Sequence, residues 1–322
     1  MKNVNTRSPI SYVKQSGQQN IGMILVIFAG VFWGLISIFI NQLTTFDYDS
    51  LQIMCLRSWV SVFLLLIFFL IYDKRLLIID PRDIWMFLGS GILSLAFFSY
   101  CYFTTIINCG AAIAVVLLYT SPIFVMLMSS IVFHEKITLR KLSALALTFI
   151  GCILVAGLIG NGQSISPMAF IVGLGAGFGY ALYSIFAGLA VRKYSSLTVT
   201  FYTLLTCGVS SLFFCHPGHI IATFELSSMP YIIGISLICT VIPYICYTFG
   251  LKRMEVGKAA VLVTIEPLVG CILGLAVFHE EASTTKILGI ILILSAVIIL
   301  AKNQRMHYDN ASLSSSSKSY SR

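Results

Sequence analysis

Ten runs of about twenty apolar residues limit what this chain can fold into more than any other feature. A helix of about 20 residues crosses the ~30 Å hydrocarbon layer of a bilayer. Apolar residues make up 58% and charged residues 10% of the 322 residues, so the composition is not that of a soluble domain. The sequence therefore predicts an all-α polytopic membrane protein with ten transmembrane helices. The runs cover 21–41, 50–72, 84–107, 111–133, 139–158, 167–190, 197–215, 229–251, 257–278 and 285–302.

The lysines and arginines predict how the chain is oriented. With ten spans and a cytoplasmic N-terminus, 18 of the 20 basic residues fall in cytoplasmic segments. Lys286 falls on the outer side, and Arg57 lies inside the second span. Cytoplasmic loops of membrane proteins carry such an excess, so both termini are predicted to be cytoplasmic. The net charge of +8 then reflects topology, and no nucleic acid partner is predicted.

The two halves of the chain resemble each other. Residues 29–39 recur in part 147 residues later as 176–186, and Phe-His-Glu at 133–135 recurs at 278–280, 145 residues later. Each half holds five spans, and because five is odd the second copy enters the membrane upside down. Inverted repeats of this kind are typical of secondary transporters. The predicted units are a cytoplasmic tail (1–20), two five-helix repeats (21–158 and 167–302) and a disordered Ser-rich cytoplasmic tail (303–322).

A proline in the fourth and ninth spans, Pro122 and Pro267, and a glutamate that closes each of them, Glu135 and Glu280, add to this pattern. Over about residues 21–302 the chain resembles the EamA-type transporters of the drug/metabolite transporter superfamily. The histidine before each terminal glutamate departs from the glycine that is common there. The resemblance implies an exporter of amino acids, related metabolites or drugs in the cytoplasmic membrane, without identifying the cargo.

Glu266, near the middle of the ninth span, is the strongest single candidate for function. A carboxylate at the bilayer centre costs at least ~2.5 kcal/mol, so it must be protonated, paired or facing a wet cavity. It would bind a proton or the positive group of the cargo; the alternative is a neutral acid bonded to a neighbouring helix. Pro267 and Pro122 cannot donate to the carbonyl four residues earlier, so they mark either hinges or static kinks.

Small, aromatic and hydroxyl residues share one helical stripe in each half. Residues three and four apart lie on one face of a helix, and such a face would line a cavity between the halves. Ordinary helix packing through small residues is the alternative. Tyr102, with Ser99 and Thr105 in the third span, forms a second polar stripe. The two repeated stripes are Gly30, Trp33, Ser37 and Gly177, Tyr180, Ser184.

Arg57 has two interpretations. It either extends outward towards Asp47 or Asp49, which we favour, or pairs with a carboxylate in the core. Because Arg57 is the one basic residue within the spans, polyanions are disfavoured as cargo. Small zwitterions or hydrophobic cations suit an acid among aromatic rings better.

Other motifs predict no chemistry. The nine cysteines lie mostly in apolar runs without a Cys-x-x-Cys pair, which indicates free thiols. The glycine-rich run 173–179 lies inside a span and predicts close helix packing. The His-Glu pairs lack the second histidine of a zinc protease, and His216 and His219 flank a Pro-Gly turn. No metal and no cofactor are predicted.

The predicted function is secondary transport, with efflux of a small metabolite by alternating access and without ATP hydrolysis. A passive facilitator of the same fold is the nearest alternative. A membrane-embedded enzyme is less favoured because only one buried acid is found, so the chain is predicted not to be an enzyme. The predicted partners are the lipid bilayer, a small-molecule substrate and, for coupled transport, protons; the oligomeric state is left open.

Overall fold

The structure, a computed structural model, describes residues 9–157, 166–215, 218, 220, 224–277 and 283–319, and their side chains except those of 9–16, 111, 112 and 302–319. The described residues form helices and turns, with no strand among them. The α-helices are α1 (Pro9–Gly34), α2 (Ile36–Thr44), α3 (Ser50–Tyr72), α4 (Ile84–Leu88), α5 (Phe97–Cys109), α6 (Ala111–Leu118), α7 (Ser121–Val132), α8 (Leu139–Val155), α9 (Pro167–Ala190), α10 (Ser196–Ser211), α11 (Met229–Ser236), α12 (Ile242–Leu251), α13 (Val256–Leu262), α14 (Glu266–Ala276) and α15 (Thr284–Ser319).

Eight helical segments within this described part are long and apolar enough to cross a membrane. The other two predicted spans are also helical, but α8 and α10 contain 17 and 16 residues, fewer than the ~20 of a typical span. A polytopic all-helical membrane protein is therefore confirmed, whereas the number of ten spans stays a prediction. The eight segments are Gly17–Thr44, Ser50–Tyr72, Pro81–Cys109, Ile113–Val132, Pro167–Ala190, Leu226–Leu251, Val256–Ala276 and Thr284–Ala301.

The outer surface of the bundle is apolar. Large side chains such as Phe63, Ile71, Ile107 and Ile131 are more than half exposed. An apolar surface of this extent needs a lipid environment, since a water-soluble protein rarely exposes contiguous apolar patches. The exposed positions therefore agree with a bundle whose backbone polar groups are satisfied within its helices and whose side chains face lipid.

Helices of the two halves pack in a pattern that is preserved when the halves are exchanged. Helix α1 packs on α12, and correspondingly α9 packs on α5; α3 packs on α10, and α8 packs on α15. The α8–α15 crossing is close, because a Cβ added to Gly151 would lie 2.9 Å from the carbonyl oxygen of Gly289. Small residues allow backbones to approach in this way. The packing thus repeats the relation between the halves that the sequence predicts.

Two irregular segments also recur. A π-helical segment, Gly89–Ala96, joins α4 to α5, and a second one, Leu237–Val241, joins α11 to α12. Their last residues are 145 positions apart, the same interval that relates the sequence motifs. Single-turn π segments inside helices are uncommon and often lie near functional sites. Their repetition makes them a property of the repeat.

Some predicted boundaries differ from the structure. Helix α1 begins at Pro9, twelve residues before the predicted start at 21, whereas α9 begins at Pro167 as predicted. Helix α15 continues to Ser319, beyond the predicted end of the tenth span at 302. The disorder predicted from residue 303 onwards stays a prediction. His216, His219, His279 and Glu280 lie outside the described residues, and all nine cysteines are free.

The basic loops meet at one end of the bundle. The guanidinium of Arg192 lies 4.5 Å from the ring centre of Phe133, and the hydroxyl of Tyr194 donates to the carboxylate of Asp83. Glu135 reaches the backbone of Val256 at the same end. We call it the Glu135 end.

The opposite end, which we call the Ser50 end, carries the turn between α2 and α3. There the hydroxyls of Tyr48 and Ser228 lie 3.3 Å apart, and the rings of Phe46 and Tyr231 are 6.1 Å apart. These contacts join the first half to the start of α11. They are neutral, in contrast to those of the Glu135 end.

Candidate functional site

A cavity of about 180 Å³ lies between the two halves and extends to exposed Ser50. This volume is far above the ~10–15 Å³ that holds one water molecule. Four residues predicted from the sequence line it: Trp33, Tyr102, Tyr180 and Glu266. The structure therefore brings these four side chains together, although their roles in binding stay predictions.

Glu266 begins a new helix in the middle of the ninth predicted span. Helix α13 ends at Leu262, a 3-10 turn covers Val263–Ile265, and α14 starts at Glu266 with Pro267 in its first turn. A proline is favoured there because the first N–H groups of a helix have no partner within it. The carboxylate of Glu266 accepts a hydrogen bond from the Tyr180 hydroxyl at 3.3 Å.

The same interruption occurs in the first half. Helix α6 ends at Leu118 and α7 starts at Ser121, with Pro122 in its first turn. Pro122 and Pro267 therefore follow tightened turns within the spans Ile113–Val132 and Val256–Ala276, where the sequence predicted an open or kinked helix. Whether they act as hinges stays a prediction.

The glycines of the two stripes serve helix packing. A Cβ added to Gly30 would lie 2.8 Å from the carbonyl oxygen of Val263, and one added to Gly177 would lie 2.7 Å from that of Leu117. Each glycine thus packs against the interrupted helix of the other half. Helix packing, the alternative interpretation of the stripes, therefore applies to these glycines, whereas Trp33 and Tyr180 of the same stripes line the cavity.

Trp33 lines the cavity. It is 7% exposed, and its ring centre lies 5.2 Å from that of Tyr244 and 5.5 Å from that of Tyr247. Trp33 also lines a second cavity of about 10 Å³, which is enough for about one water molecule. The Ser184 hydroxyl lines this small cavity and lies 2.8 Å from the Tyr247 hydroxyl.

Ser37 lines neither cavity. Its hydroxyl is buried and has no hydrogen-bond partner among the residues that the structure describes. Ser37 therefore lies outside the candidate site, although Trp33, which belongs to the same predicted stripe, is part of it.

Arg57 lines the same cavity as Glu266. The favoured interpretation was an outward contact with Asp47 or Asp49, but none of the ion pairs in the described part of the chain includes Arg57. Asp49 instead accepts a hydrogen bond from the Gln52 N–H at 2.8 Å and begins α3.

The spacing of residues in α3 could have predicted that Arg57 lines the cavity. The lining residues Ser50, Ile53, Met54 and Arg57 recur at intervals of three and four and so form one helical face. Tyr244 was also missed, and it lines the cavity beside Trp33.

The Glu135 end is closed by a network that we call the latch: Glu135, Lys141, Glu255 and Lys258. The carboxylate of Glu135 accepts hydrogen bonds from the N–H groups of Val256 at 2.6 Å and Gly257 at 3.0 Å. These groups form the N-terminus of α13, whose dipole favours a negative charge. Glu135 thus caps a helix of the other half.

Lys141 joins the parts of the latch. Its ammonium nitrogen lies 3.0 Å from Glu255 and 3.6 Å from Glu135, and its side chain is only 3% exposed. Lys258 also lies 3.0 Å from Glu255. Burial raises the pKa of Glu255, but Lys258 and Lys141 outweigh this effect, so its pKa lies below the ordinary value.

Comparisons with known proteins agree with this architecture. The model of the EamA-like transporter family matches residues 20–157 and 167–302, one match for each half. An uncharacterized transporter of Archaeoglobus fulgidus is 27% identical over 288 residues, which cover 86% of this chain and 95% of that protein. A probable amino-acid metabolite efflux pump of Salmonella typhimurium is 25% identical, with 66% of this chain and 75% of that protein covered.

A solved structure, described only as the crystal structure of a protein, shares the fold. Its TM-score is 0.73 at 15% identity, with 88% of this chain and 98% of that one covered. The two family matches leave only the termini and the segment 158–166 between the halves unmatched. The chain therefore belongs to the EamA-like transporter family.

Proposed function

We propose that the protein is a secondary transporter that exports a small metabolite across the cytoplasmic membrane by alternating access. One observation carries this proposal: a cavity lined by Glu266 reaches the Ser50 end, while buried charges close the Glu135 end. A site between two halves, reached from one side at a time, is what alternating access requires. No catalytic role is proposed for any residue.

The proposed topology has ten spans, with α8 and α10 counted among them, and both termini in the cytoplasm. The basic loops at the Glu135 end support this orientation through the excess of Lys and Arg expected of cytoplasmic loops. The Ser50 end then faces outward. The described conformation is accordingly the outward-open state.

The proposed roles follow from the lining of the two cavities. Glu266 binds a proton or the positive group of the cargo, and Trp33, Tyr102 and Tyr180 form the wall of the cargo site. Ser37 and Ser184 are weaker candidates because they lie outside the larger cavity. Pro122 and Pro267 mark the interrupted helices that change conformation.

Amino acids or related zwitterions are the proposed cargo, with hydrophobic cations as the alternative. The relatives from Salmonella typhimurium and Escherichia coli that are named probable amino-acid metabolite efflux pumps support the first class. The carboxylate of Glu266 among aromatic rings suits either class.

Flux in proteoliposomes tests this function. We would load vesicles with radiolabelled amino acids or cationic dyes and compare release with and without a pH gradient, for the wild-type protein and Glu266→Gln. Glu225→Gln, a change of an exposed carboxylate, is the matched control. Gradient-driven release that is lost only in Glu266→Gln is the expected result.

Two other results would change the proposal. Release that ignores both the gradient and the Glu266 substitution would identify a passive facilitator. Absence of any protein-dependent release from a panel of all twenty amino acids and several cations would contradict the proposed cargo classes.

A further inference from the structure

We propose that Arg57 and Glu266 hold the two ends of the cargo, Arg57 binding a carboxylate and Glu266 an ammonium group. This inference rests on the proposed function, because it takes the larger cavity as the cargo site. It makes Arg57 a specificity-determining residue that selects a zwitterion with a single carboxylate over a simple cation.

The charge of Arg57 is the first argument. A guanidinium keeps its proton in proteins, so the cavity always contains this positive charge. No carboxylate lies within 4.0 Å of it in the described part of the chain. Apolar neighbours in the cavity lining, Ile53 and Met54, offer it no compensation. The half-buried guanidinium therefore has hydrogen-bonding capacity for an anion that enters the cavity.

The second argument is that Arg57 and Glu266 share the cavity without forming an ion pair. They lie on α3 and α14, which belong to different halves, and both line the same space. Two opposite charges that line one cavity without pairing with each other can bind a molecule that carries the complementary charges at its ends. A pair in direct contact would instead neutralise itself and leave no charged site.

The surroundings of each charge suit these roles. The Tyr180 hydroxyl donates to one oxygen of Glu266, which leaves acceptor capacity for an ammonium group. The rings of Trp33 and Tyr244 line the same cavity and stabilise a cation through their faces. A guanidinium binds a carboxylate through two parallel hydrogen bonds, which fixes its orientation.

The body of the cargo is also constrained. The rest of the cavity lining is largely apolar and aromatic, and includes Ile36, Ile40, Phe98 and Phe103. An apolar or aromatic side chain would therefore contribute to binding. We expect zwitterions with such side chains to bind more tightly than those with charged ones.

Three probes of one shape separate the two charges. L-phenylalanine carries both groups, phenethylamine lacks the carboxylate, and 3-phenylpropionate lacks the ammonium group. Binding to the full-length wild-type protein in lipid nanodiscs is measured by calorimetry. Each charged hydrogen-bonding group is expected to contribute about tenfold or more in affinity, so L-phenylalanine should bind most tightly.

The variants should then show a crossed pattern. Arg57→Gln should weaken the binding of L-phenylalanine and 3-phenylpropionate about tenfold or more and leave the affinity for phenethylamine unchanged. Glu266→Gln should weaken L-phenylalanine and phenethylamine and leave 3-phenylpropionate unchanged. Arg253→Gln, at the other end of the bundle where Arg253 stacks on Phe249, should change none of them.

Folding is checked by the melting temperature of each variant, and Arg57→Lys keeps the positive charge if the glutamine variant does not fold. Arg57→Met is the second neutral variant in that case. Arg57→Lys should retain more of the carboxylate-dependent affinity than whichever neutral variant folds. Discrimination between L-phenylalanine and phenethylamine that is equal in the wild type and in the folded Arg57 variants would overturn the proposal. No binding of any of the twenty standard amino acids to the wild type would also overturn it.

Flux measurements separate this inference from the proposed function. Wild-type release of carboxylate-free cations, without release of zwitterions, would leave the transporter in place and overturn the role of Arg57. The crossed binding pattern without release of any probe would support the two-charge site and contradict transport.

Discussion

The two ends of the bundle close by different means. At the Glu135 end, a buried lysine joins two carboxylates, one of which caps a helix of the other half. At the Ser50 end, the described residues include a neutral contact between the halves, made by the hydroxyls of Tyr48 and Ser228. Glu280, which matches Glu135 in the repeat, lies outside the described residues. The cavity reaches the Ser50 end and stops short of the latch.

Among the described residues, charge-assisted contacts join the halves at the Glu135 end, and a neutral hydroxyl contact joins them at the Ser50 end. Charge-assisted hydrogen bonds are roughly twice as strong as neutral ones, and the Glu135 and Lys141 side chains of the latch are largely shielded from water. Tyr194–Asp83 and Tyr48–Ser228 are matching contacts of the two repeats. Tyr194 lies 146 positions after Tyr48, and Ser228 lies 145 positions after Asp83, but only the first contact contains a charge. The following predictions test whether charge is the cause.

The largest effect is expected from Glu135→Gln. The substitution keeps the size of the side chain, but it removes the charge beside Lys141 and turns an NH₂ group towards a backbone N–H. We expect a loss of about 3 kcal/mol in the free energy of unfolding. Faster hydrogen exchange at Val256 and Gly257 should accompany it, with Glu225→Gln as the control. Unchanged exchange at both amides would show that charge does not hold this end.

A smaller loss is expected from Tyr194→Phe. The Tyr194 hydroxyl donates to Asp83 and accepts from the Asp80 N–H at 3.0 Å, so the substitution removes both contacts. Lys193 stays beside Asp83 and keeps part of the network. The melting temperature should fall less than in Glu135→Gln. An equal or larger fall would mean that the latch is not the main contact at this end.

At the neutral end, Tyr48→Phe should cost about 0.5–1.5 kcal/mol in the free energy of unfolding. The Tyr48 side chain is 2% exposed, and its ring would keep its packing in the variant. The Ser228 hydroxyl would keep its bond to the Glu225 carbonyl oxygen at 2.7 Å. Unfolding in mixed detergent measures the loss, and a value as large as that of Glu135→Gln would remove the contrast between the ends.

The smallest effect is expected from pH. The lowered pKa of Glu255 means that its ion pairs contribute stability above its ordinary value of 4.5 and lose it as the pH falls through the lowered pKa. The hydrogen bond to Asp83 raises the pKa of Lys193, so that contact is lost only as the pH rises beyond its ordinary value of 10.5.

Between about pH 5 and pH 9, the stability difference between wild type and Glu255→Gln should therefore stay constant. Melting temperatures of both proteins across this range provide the measurement. A difference that shrinks well above pH 5 would show that the ion pairs do not behave as the lowered pKa requires.

The sequence predicts the parts of the site that follow a pattern. Glu266 is exceptional because it is an acid within an apolar run, and Trp33 and Tyr180 occupy matching places in two repeats. All three line the cavity. Ser37 has the same spacing from Trp33, but the packing of α2 turns it away from both cavities.

The rest depends on contacts between distant segments. Arg57 was interpreted from its nearest acids in the sequence, whereas the structure places it beside a cavity that also contains a residue of α14. Glu135 was identified from the repeat, but its partners, the N–H groups of α13, lie 121 and 122 residues away. The sequence predicts that α8 and α10 belong to spans, but the helices contain only 17 and 16 residues, which is near the limit for crossing a bilayer.

The depth of the cavity has an electrical consequence. In the proposed outward-open state, water from the Ser50 end fills the cavity that Glu266 lines, so this cavity lies near the potential of that side of the membrane. The membrane voltage then falls across the closed layer between Glu266 and the latch. In the proposed transport cycle, a charge that moves from Glu266 to the Glu135 end therefore crosses much of the membrane potential, and crossing all of it changes the free energy by about 2.3 kcal/mol per 100 mV.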